Sequence, residues 1–456
     1  MNKMHLIEKK SQIYVDFIRA WVYNNKQGVD YMLIQFRFKN FKSFRDDTIL
    51  DLSATKITEN SHHVIHIGTE KILPIAAIYG ANASGKSNVI DAFRFMVVYV
   101  LDSFAYGGEG DDKKSRSKRL KRTPFLFDTT SKENVSSFEV YFVSSENEGS
   151  KCYNYGFSLD QNGVVEEWLN SKARTAREYR SIFYRNRLEK QLDLSGLSAN
   201  RQENIKIALE DETLIVSLGA KLKIPKLKLI RDWFYDSNIA DFGDPIENAV
   251  LSRLIPPGFD DDKAVQDKVV KYFSAFDSSI IGFNVETIAS DDDNDSSKHI
   301  KIDAVHRIAD SNETVTIPLA EESAGTLKMF ALYPALQDTL ENGGVLFVDE
   351  LNARLHPLLV RAFLVAFLNP ETNPKHAQLV FTTHDSWQLS NNLLRRDEIW
   401  FTDKDSNGVS VLYSLADFVD DDGVKIRKDE NYEKNYLLGK YGAIPALSYF
   451  DMFKGE

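Results

Sequence analysis

A glycine-rich segment has the residue types and the spacing needed to hold an anionic phosphate. Gly80-Ala-Asn-Ala-Ser-Gly-Lys-Ser87 fits the pattern G-x-x-x-x-G-K-S/T. Its glycines let successive backbone N–H groups curl around a phosphate, and the helix that follows directs the positive end of its dipole at the same group. Lys86 is expected to reach the β- and γ-phosphates of a nucleotide, and the Ser87 hydroxyl to bind Mg²⁺. The residues predicted to bind ATP in this loop are Gly80, Asn82, Ser84, Gly85, Lys86, Ser87 and Asn88.

Two adjacent carboxylates follow an apolar segment much later in the chain. The segment Val345–Val348 is typical of a short buried strand, and Asp349 and Glu350 come directly after it. Ligands of parallel sheets bind at the carboxyl ends of the strands, so both carboxylates are expected in the same crevice as the phosphate loop. Asp349 is predicted to hold Mg²⁺, directly or through water. Glu350 is predicted to orient or deprotonate the attacking water.

A histidine and a serine–glycine pair complete the candidate chemistry. His384 follows the apolar segment Gln378–Phe381, where a neutral imidazole can donate a hydrogen bond to the γ-phosphate. With Lys86 and Glu350, it is predicted to be catalytic. Ser323 and Gly325 open a predicted helix. Ser323 can cap that helix, or the helix N-terminus can bind a phosphate that another subunit holds.

Alternating and wholly apolar segments predict the elements that position these residues. Their order, strands and helices mixed along the chain, predicts an α/β fold with a nucleotide-binding core. Strands are predicted over 32–38, 48–52, 72–79, 138–143, 153–159, 163–169, 280–288, 298–308, 345–348, 378–381, 398–402 and 409–413, and helices over 86–101, 323–340 and 358–368.

Changes of composition divide the chain into five predicted parts. Long charged stretches with Leu and Ile at helical spacing favour a helical insertion in the middle. The parts are an N-terminal extension over 1–31, the N-terminal half of the core over 32–170, the helical insertion over 171–275, the C-terminal half of the core over 276–415 and a C-terminal tail over 416–456.

Composition narrows the class of protein. Hydrophobic residues make up 43% of the 456 residues, enough for a sizeable core. The longest apolar runs, Phe95–Leu101 and Ala362–Leu368, are seven residues each, whereas a membrane helix needs about 20. Cys152 is the only cysteine, which excludes an internal disulfide and any zinc site built from several thiolates. A cytoplasmic protein without a membrane span is therefore expected.

The charge balance disfavours a protein that coats DNA by charge alone. The formal net charge is −11, and such DNA-binding proteins are normally basic. Residues 113–122 nevertheless hold seven Lys and Arg in ten, which is either a solvated loop or a local nucleic-acid patch. The acidic run Asp291–Asp295 lacks the ligand spacing of a calcium loop and favours a solvated turn.

Taken together, these motifs resemble the ABC-type ATPase heads of the SMC and RecF group. Gly80–Ser87 is similar to their Walker A loop and Val345–Glu350 to their Walker B strand. Phe38–Phe44 resembles their first strand and turn, which lies near the nucleotide, so the resemblance implies a nucleotide contact for Lys42. It also implies the fold of such a head: a mixed sheet that carries the phosphate loop, with an antiparallel β subdomain.

The same resemblance assigns roles to the remaining residues. Glu350 falls at the catalytic glutamate of that group and His384 at its switch histidine. Ser323-Ala-Gly325 is similar to the signature motif but departs from the usual L-S-G-G-Q. The group builds head-to-tail dimers with two ATP molecules between the heads. The resemblance thus implies a homo-oligomer in which Ser323 and Gly325 complete the partner's site.

A closer resemblance is to the RloA/AbiLi-like ATPases of phage-defence operons, related to the OLD and PtuA ATPases. It spans about residues 32–447. The tail Leu438–Pro445 is the most specific part, and it either ends a helix through a glycine cap or contacts a partner. The other segments on which this resemblance rests are Asn40–Phe44, Gly80–Ser87, Asp349-Glu350 with Leu355-His356-Pro357, and Thr383-His384.

The defence resemblance implies a sensor or switch that hydrolyses ATP slowly. Only 72 residues follow His384, too few for a nuclease domain of roughly 100 residues, so a separately encoded effector is expected, a Toprim-like nuclease being one candidate. A phage trigger protein or DNA is a further candidate partner. The alternatives are a RecF/SMC-like repair ATPase, an OLD-like ATPase acting directly on DNA, a self-contained nuclease–ATPase and a scaffold that needs ATP only for assembly.

Overall fold

The computed structural model describes most of the chain as strands and helices of an α/β protein. The described residues are 31–106, 120–146, 149–173, 176–244, 255–256, 258–274, 276–289, 298–420, 423 and 425–445. The predicted extension before Tyr31, most of the basic stretch 113–122 and the acidic run 291–295 lie outside them.

The elements are numbered in chain order. Within the described residues the strands are β1 Tyr31–Lys39, β2 Thr48–Asp51, β3 Ile65–Ile67, β4 Glu70–Ile72, β5 Ile75–Gly80, β6 Ser136–Glu146, β7 Gly149–Leu159, β8 Val164–Ala173, β9 Arg180–Asn186, β10 Gln191–Asp193, β11 Asn238–Asp241, β12 Ile280–Ala289, β13 Lys298–Arg307, β14 Thr314–Pro318, β15 Val345–Asp349, β16 Gln378–Thr382, β17 Ile399–Lys404 and β18 Ser410–Ser414. The α-helices are α1 Lys86–Asp102, α2 Ala199–Ala208, α3 Ile215–Lys221, α4 Pro225–Tyr235, α5 Lys263–Ser274, α6 Ala324–Asn342, α7 Pro357–Leu368 and α8 Tyr432–Leu437.

A six-stranded sheet carries the motifs found in the sequence. Its strand order is β11-β15-β16-β5-β17-β18, with β15, β16, β5 and β17 parallel to one another and β18 antiparallel at the edge. Every residue of β5, β15 and β16 is buried, as expected for central parallel strands covered on both faces. Because these strands are parallel, the residues that follow them meet at one edge of the sheet.

A seven-stranded antiparallel sheet accompanies it, in the order β10-β9-β8-β7-β6-β1-β2. Its strand β1 buries Phe36 and Phe38 and leaves Gln35 and Arg37 less buried, the alternation that the sequence predicted. The combination of a mixed sheet with the phosphate loop and an antiparallel β part confirms the predicted α/β fold class. A three-stranded sheet, β12-β13-β14, and a two-stranded sheet, β3-β4, complete the described strands.

Helix α1 and a buried glutamine join the two large sheets. Phe93 of α1 stacks on Phe347 of β15 with ring centroids 4.0 Å apart and meets Phe36 of β1 edge-on at 5.3 Å. The fully buried side chain of Gln378, at the start of β16, accepts from Leu33 N at 2.6 Å and donates to Leu33 O and Leu73 O at 2.9 and 3.0 Å. Since β1 belongs to one sheet and β16 to the other, this side chain holds the two together.

The predicted helical insertion over 171–275 is corrected to a mixed segment. It does contain α2 to α5, but β9 and β10 also lie in it and extend the seven-stranded sheet beyond β8. Strand β9 pairs antiparallel with β8, with Leu169 opposite Phe183. The charged ends of β9 weaken the strand pattern in the sequence, so this strand was not predicted. Its stability comes from pairing with β8, which is already part of the sheet.

The tail segment Leu438–Pro445 follows helix α8 and caps its C-terminus, which is one of the two roles that the sequence predicted for it. Gly439 has a φ of 79°, and the N–H groups of Gly439 and Lys440 donate to Tyr436 O and Asn435 O. This arrangement is a glycine C-cap. The tail also packs on the sheet edge, since Tyr436 stacks on Phe401 of β17 at 5.4 Å and the Tyr413 hydroxyl of β18 donates to Tyr441 O at 2.6 Å.

The described chain forms two compact units. The smaller comprises Ala240–Asp338 and Asn352–Ala362; the larger comprises 31–239, 339–351 and 363–445. The phosphate loop, Asp349, Glu350 and His384 all belong to the larger unit. Among the described residues, no helix is both long and apolar enough to cross a membrane.

Candidate functional site

A cavity of about 730 Å³ opens at the carboxyl ends of the central parallel strands, inside the larger unit. It is lined by Asn82, Ala83, Gly85, Lys86, Ser87, Asn88, Glu350, His384 and Lys404. Segments that lie far apart in the chain therefore meet around one space. All of these residues except Ala83 and Lys404 were predicted from the sequence.

Strand register explains why the segments meet. In the parallel ladders Val348 lies opposite Phe381, Thr382 opposite Ile78, and Thr402 opposite Gly80. β15 and β16 therefore end level with each other, whereas β5 runs two residues beyond them and β17 two residues beyond β5. The acids at the end of β15, the histidine after β16 and the loop after β5 thus leave the sheet close to one another.

The phosphate loop is built around two glycines that no larger residue can replace without strain. Gly80 and Gly85 have φ values of 154° and 116°, in the region that favours glycine. A Cβ on Gly80 would lie 2.5 Å from Thr402 O, and one on Gly85 would lie 2.7 Å from Ser410 Oγ. The loop backbone is therefore held tightly against β17 and β18.

The Lys86 ammonium lies at the centre of the loop. The residue is only 5% exposed, and Nζ donates to Gly80 O and Ala81 O, both at 2.9 Å. Burial lowers the pKa of Lys86 to about 8, while Asp349 and Glu350 oppose this shift. The ammonium is therefore poised to exchange neutral carbonyl acceptors for an anionic one.

The other predicted loop residues divide into those that line the cavity and those that support it. Ser87 is exposed at the start of α1 and lines the cavity. Asn88 also lines it, and its amide donates to Ser43 Oγ at 2.7 Å. Ser84 is buried outside the lining, and its hydroxyl lies 2.6 Å from Thr402 Oγ1. Ser84 thus supports the loop.

A threonine on the neighbouring strand fixes both acids. The Thr382 hydroxyl donates to the Asp349 carboxylate and accepts from Glu350 N at 2.8 Å. Asp349 is 3% exposed, whereas Glu350 lines the cavity with a φ of 52°. A positive φ on a residue other than glycine is a strained conformation that accumulates at functional sites. It turns the chain at the end of β15 so that two consecutive carboxylates occupy different positions.

His384 lies across the cavity from the loop, with its Nδ1 3.5 Å from Lys86 Nζ. Burial lowers the pKa of His384 and the Lys86 cation lowers it further, while Glu350 acts in the opposite direction. The imidazole is therefore neutral near pH 7, as the sequence interpretation required.

The predicted nucleotide contacts outside the phosphate loop, Lys42, Ser323 and Gly325, also lie outside the cavity lining. Lys42 has a φ of 50°, and its ammonium pairs with the Asp91 carboxylate of α1. Ser323 caps helix α6, since its hydroxyl accepts from Thr326 N at 3.1 Å. Gly325 lies where a Cβ would come within 3.1 Å of Arg354 O. Ser323 and Gly325 belong to the smaller unit, and their contact with a partner's nucleotide stays a prediction.

Sequence analysis missed four residues that shape the site: Lys404 in the lining and Thr382, Thr402 and Ser410 behind it. Ser410 Oγ donates to Ser84 O at 2.7 Å and lies within hydrogen-bond distance of Ser43 Oγ, at 2.8 Å. Thr402 and Ser410 are polar residues of predicted strands, and Thr382 and Lys404 lie just beyond the predicted ends of two strands. That was the only signal available. Which of them reaches the loop depends on strand order, which the sequence does not state.

The residues present fit a nucleoside triphosphate with Mg²⁺. The two glycines form a cradle that a side chain would fill, and Lys86 supplies a cation inside it. The Ser87 hydroxyl and the Asp349 carboxylate offer the hard oxygen donors that Mg²⁺ prefers, in a site where phosphates supply further ligands.

Comparison with known proteins gives one family and several structural neighbours. Residues 75–386 match the family model described as "AAA domain, putative AbiEii toxin, Type IV TA system". Among solved structures, an SMC head domain from Thermotoga maritima is 16% identical with a TM-score of 0.37, covering 84% of this chain and 98% of that one. The Smc head with an extended coiled coil bound to the C-terminal domain of ScpA, from Pyrococcus furiosus, is 15% identical with a TM-score of 0.35, covering 84% and 96%. No curated protein sequence matches.

The family match runs from the first residue of β5, before the phosphate loop, to just beyond His384. It covers more than half of the chain and includes every residue of the cavity lining except Lys404. The match does not test the more specific resemblance to the RloA/AbiLi-like ATPases, which stays a prediction. Because the match covers more than half of the chain, the chain belongs to this family of AAA-domain ATPases.

Proposed function

We propose that this chain is a Mg²⁺-dependent ATPase that acts as the switch subunit of a multi-component bacterial anti-phage defence system and controls a separately encoded effector. The observation that carries the ATPase part is the single cavity shared by the phosphate loop, Glu350 and His384. The defence part is supported by the family description, which names a "putative AbiEii toxin" and a "Type IV TA system".

The loop residues bind and orient the nucleotide. Backbone N–H groups between Gly80 and Ser87 hold the phosphates, and Lys86 gives up its contacts with two carbonyls to bind the β- and γ-phosphates. Ser87 and Asp349 are the residues that would hold Mg²⁺. When bound, the metal neutralises the charge that develops on the phosphate oxygens.

Glu350 and His384 act on the water and on the phosphate it attacks. The Glu350 carboxylate lines the cavity, where it orients the attacking water and accepts its proton. Neutral His384 donates a hydrogen bond to the γ-phosphate, and its depressed pKa keeps it neutral beside the Lys86 cation. His384 thus distinguishes the triphosphate from the diphosphate.

A second copy of the chain completes the cycle. Ser323 and Gly325 at the N-terminus of α6 bind the γ-phosphate held by the partner, so that ATP joins two copies head to tail and hydrolysis releases them. Hydrolysis is slow, because each turnover resets a switch. The effector, a nuclease in our proposal, binds the joined form after a phage protein or DNA acts as trigger.

ATP hydrolysis by the purified chain tests the enzymatic part. With Mg²⁺, the wild type should release phosphate slowly, whereas Lys86→Ala and Glu350→Gln should each lower turnover at least about 100-fold. Glu350→Gln should still bind ATP, and Lys86→Ala should not. The exposed residues Lys71 and Glu371 lie outside the cavity, so Lys71→Ala and Glu371→Gln serve as matched controls. Full turnover in Lys86→Ala would disprove the site.

Phage challenge tests the defence part. Cells that express the chain together with its neighbouring gene should survive phages that lyse cells with an empty vector, and Lys86→Ala should remove this protection. Equal protection by Lys86→Ala would separate defence from the nucleotide site. Hydrolysis strongly stimulated by DNA, without protection in cells, would instead favour a repair ATPase.

A further inference from the structure

Lys404 is the one residue of the cavity lining that the sequence motifs left out and that carries a positive charge. It ends β17, which runs parallel to β5 with Thr402 opposite Gly80. Two residues beyond that pair, Lys404 is level with the start of the phosphate loop. The ladder between β17 and β5 therefore fixes the height of Lys404 relative to Asn82.

Alternation along β17 sets the direction of its side chain. Thr402 directs its hydroxyl to Ser84 of the loop, at 2.6 Å. Residues two apart in a strand share a face, so Lys404 lies on the same side as Thr402. Asp403, between them, faces the tail and accepts from Ala443 N at 3.3 Å. The tail thus anchors the strand end that presents Lys404 to the cavity.

The ammonium of Lys404 takes part in no ion pair within the described part of the chain. Its neighbour Asp405 is occupied elsewhere, since its carboxylate accepts from Asn407 N at 2.9 Å and Val409 N at 2.8 Å. Lys86, by contrast, is buried and donates to loop carbonyls. Lys404 is therefore an exposed cation at the cavity, whereas the other lysine of the lining, Lys86, is already held by hydrogen bonds to the loop.

We propose that Lys404 binds a phosphate oxygen of the nucleotide, so that a lysine at the end of β17 and a lysine at the start of α1 both hold the phosphate chain. The proposal rests on the proposed function, because it assigns a further contact within the same site. An exposed lysine is ordinarily a solvated surface residue. Lys404 differs from that case because its strand face, its register and its unpaired charge all direct it to the phosphate loop.

Calorimetric titration of the full chain with Mg²⁺ and a non-hydrolysable ATP analogue tests the contact. Lys404→Ala should weaken binding about three- to tenfold, a charge-assisted hydrogen bond discounted for solvent exposure. Lys404→Arg should stay within about twofold because it keeps the charge. Lys71→Ala, an exposed lysine outside the cavity, should bind like the wild type.

Inorganic tripolyphosphate, which has no base or ribose, identifies the group that Lys404 touches. Its binding should weaken by the same factor in Lys404→Ala, and the dependence of affinity on salt should become shallower. Weaker binding of the ATP analogue alone would place Lys404 on the base or ribose and overturn the proposal. Unchanged affinity for both probes, in a wild type that binds them, would also overturn it and leave the ATPase intact. A wild type that binds neither probe would instead overturn the proposed function.

Discussion

At the scale of single residues, the site combines a buried cation with a strained acid. Lys86 is 5% exposed and satisfied by two loop carbonyls, and Glu350 keeps a φ of 52°. A left-handed conformation costs about 1–2 kcal/mol for a residue with a side chain. The fold meets this cost through the hydrogen bond from Glu350 N to Thr382.

The pKa of Lys86 makes nucleotide binding sensitive to pH in the alkaline range. Burial holds this pKa at about 8 in the free protein, and a bound phosphate favours the ammonium and raises it. Binding therefore takes up a proton wherever free Lys86 is neutral. Affinity should be at its maximum below pH 8 and fall above it, by up to about tenfold per pH unit.

Calorimetry between about pH 7 and about pH 9.5 measures this effect. Repeating the titration in buffers with different ionisation enthalpies counts the protons taken up, and the uptake should appear only at the alkaline end. Affinity that stays constant across the range, with no proton uptake, would mean that Lys86 remains charged in the free protein.

Residue spacing in the sequence predicted the parts of the site that are local. The loop from Gly80 to Ser87 and the pair Asp349-Glu350 are short motifs whose chemistry depends on neighbours in the chain. Thr382, Lys404 and Ser410 could not be found in this way, because they act on residues more than 30 positions away. Their roles follow from strand order alone.

At the scale of elements, the ladder between β15 and β16 connects the acids to the rest of the site. Thr382 ends β16, and its hydroxyl reaches both Asp349 and Glu350 N. Thr382→Val keeps the shape but removes this hydroxyl. We expect kcat to fall about 10- to 100-fold with KM little changed, because the acids lose their positions while the loop still binds ATP.

A second measurement separates this effect from simple destabilisation. The same variant should lose about 1–3 kcal/mol of unfolding free energy, because Glu350 N loses its acceptor. Thr48→Val is the control, since Thr48 begins β2 outside the cavity and its hydroxyl donates to Asp46 O. A Thr382→Val enzyme with wild-type kcat would show that the acids are positioned without Thr382.

Most long elements were predictable because their pattern matches their burial. Strand β1 alternates and β5 is continuously apolar, and both were predicted within two or three residues. Strands β9 to β11 were not, because β10 and β11 are short, β9 has charged ends, and all three gain their stability from pairing inside larger sheets. The insertion therefore had the composition of a helical segment but contributes two strands to the seven-stranded sheet.

At the scale of the whole molecule, the proposed switch predicts a change in mass. Glu350→Gln should bind ATP without hydrolysing it and so accumulate the joined form. Light scattering should then give roughly twice the 52.0 kDa of one chain with ATP and Mg²⁺, and one chain without them. Lys86→Ala should stay at the smaller mass in both conditions.

A Glu350→Gln protein that binds ATP but keeps the mass of one chain would disprove the head-to-tail arrangement and the roles proposed for Ser323 and Gly325. Hydrolysis inside a single copy would then be the simpler mechanism, and the effector would have to recognise the cavity's state in one chain.

Gln378 also limits how this protein can be rebuilt from parts. Its buried amide satisfies both backbone groups of Leu33 and the carbonyl of Leu73. These three hydrogen bonds need a side chain with both a donor and an acceptor at this position. A chimera that imports the antiparallel sheet of a relative with a different residue at this place would bury orphaned amide groups at the seam. Chimeras between relatives should therefore fold when the glutamine and strand β1, which it binds through Leu33, come from the same parent.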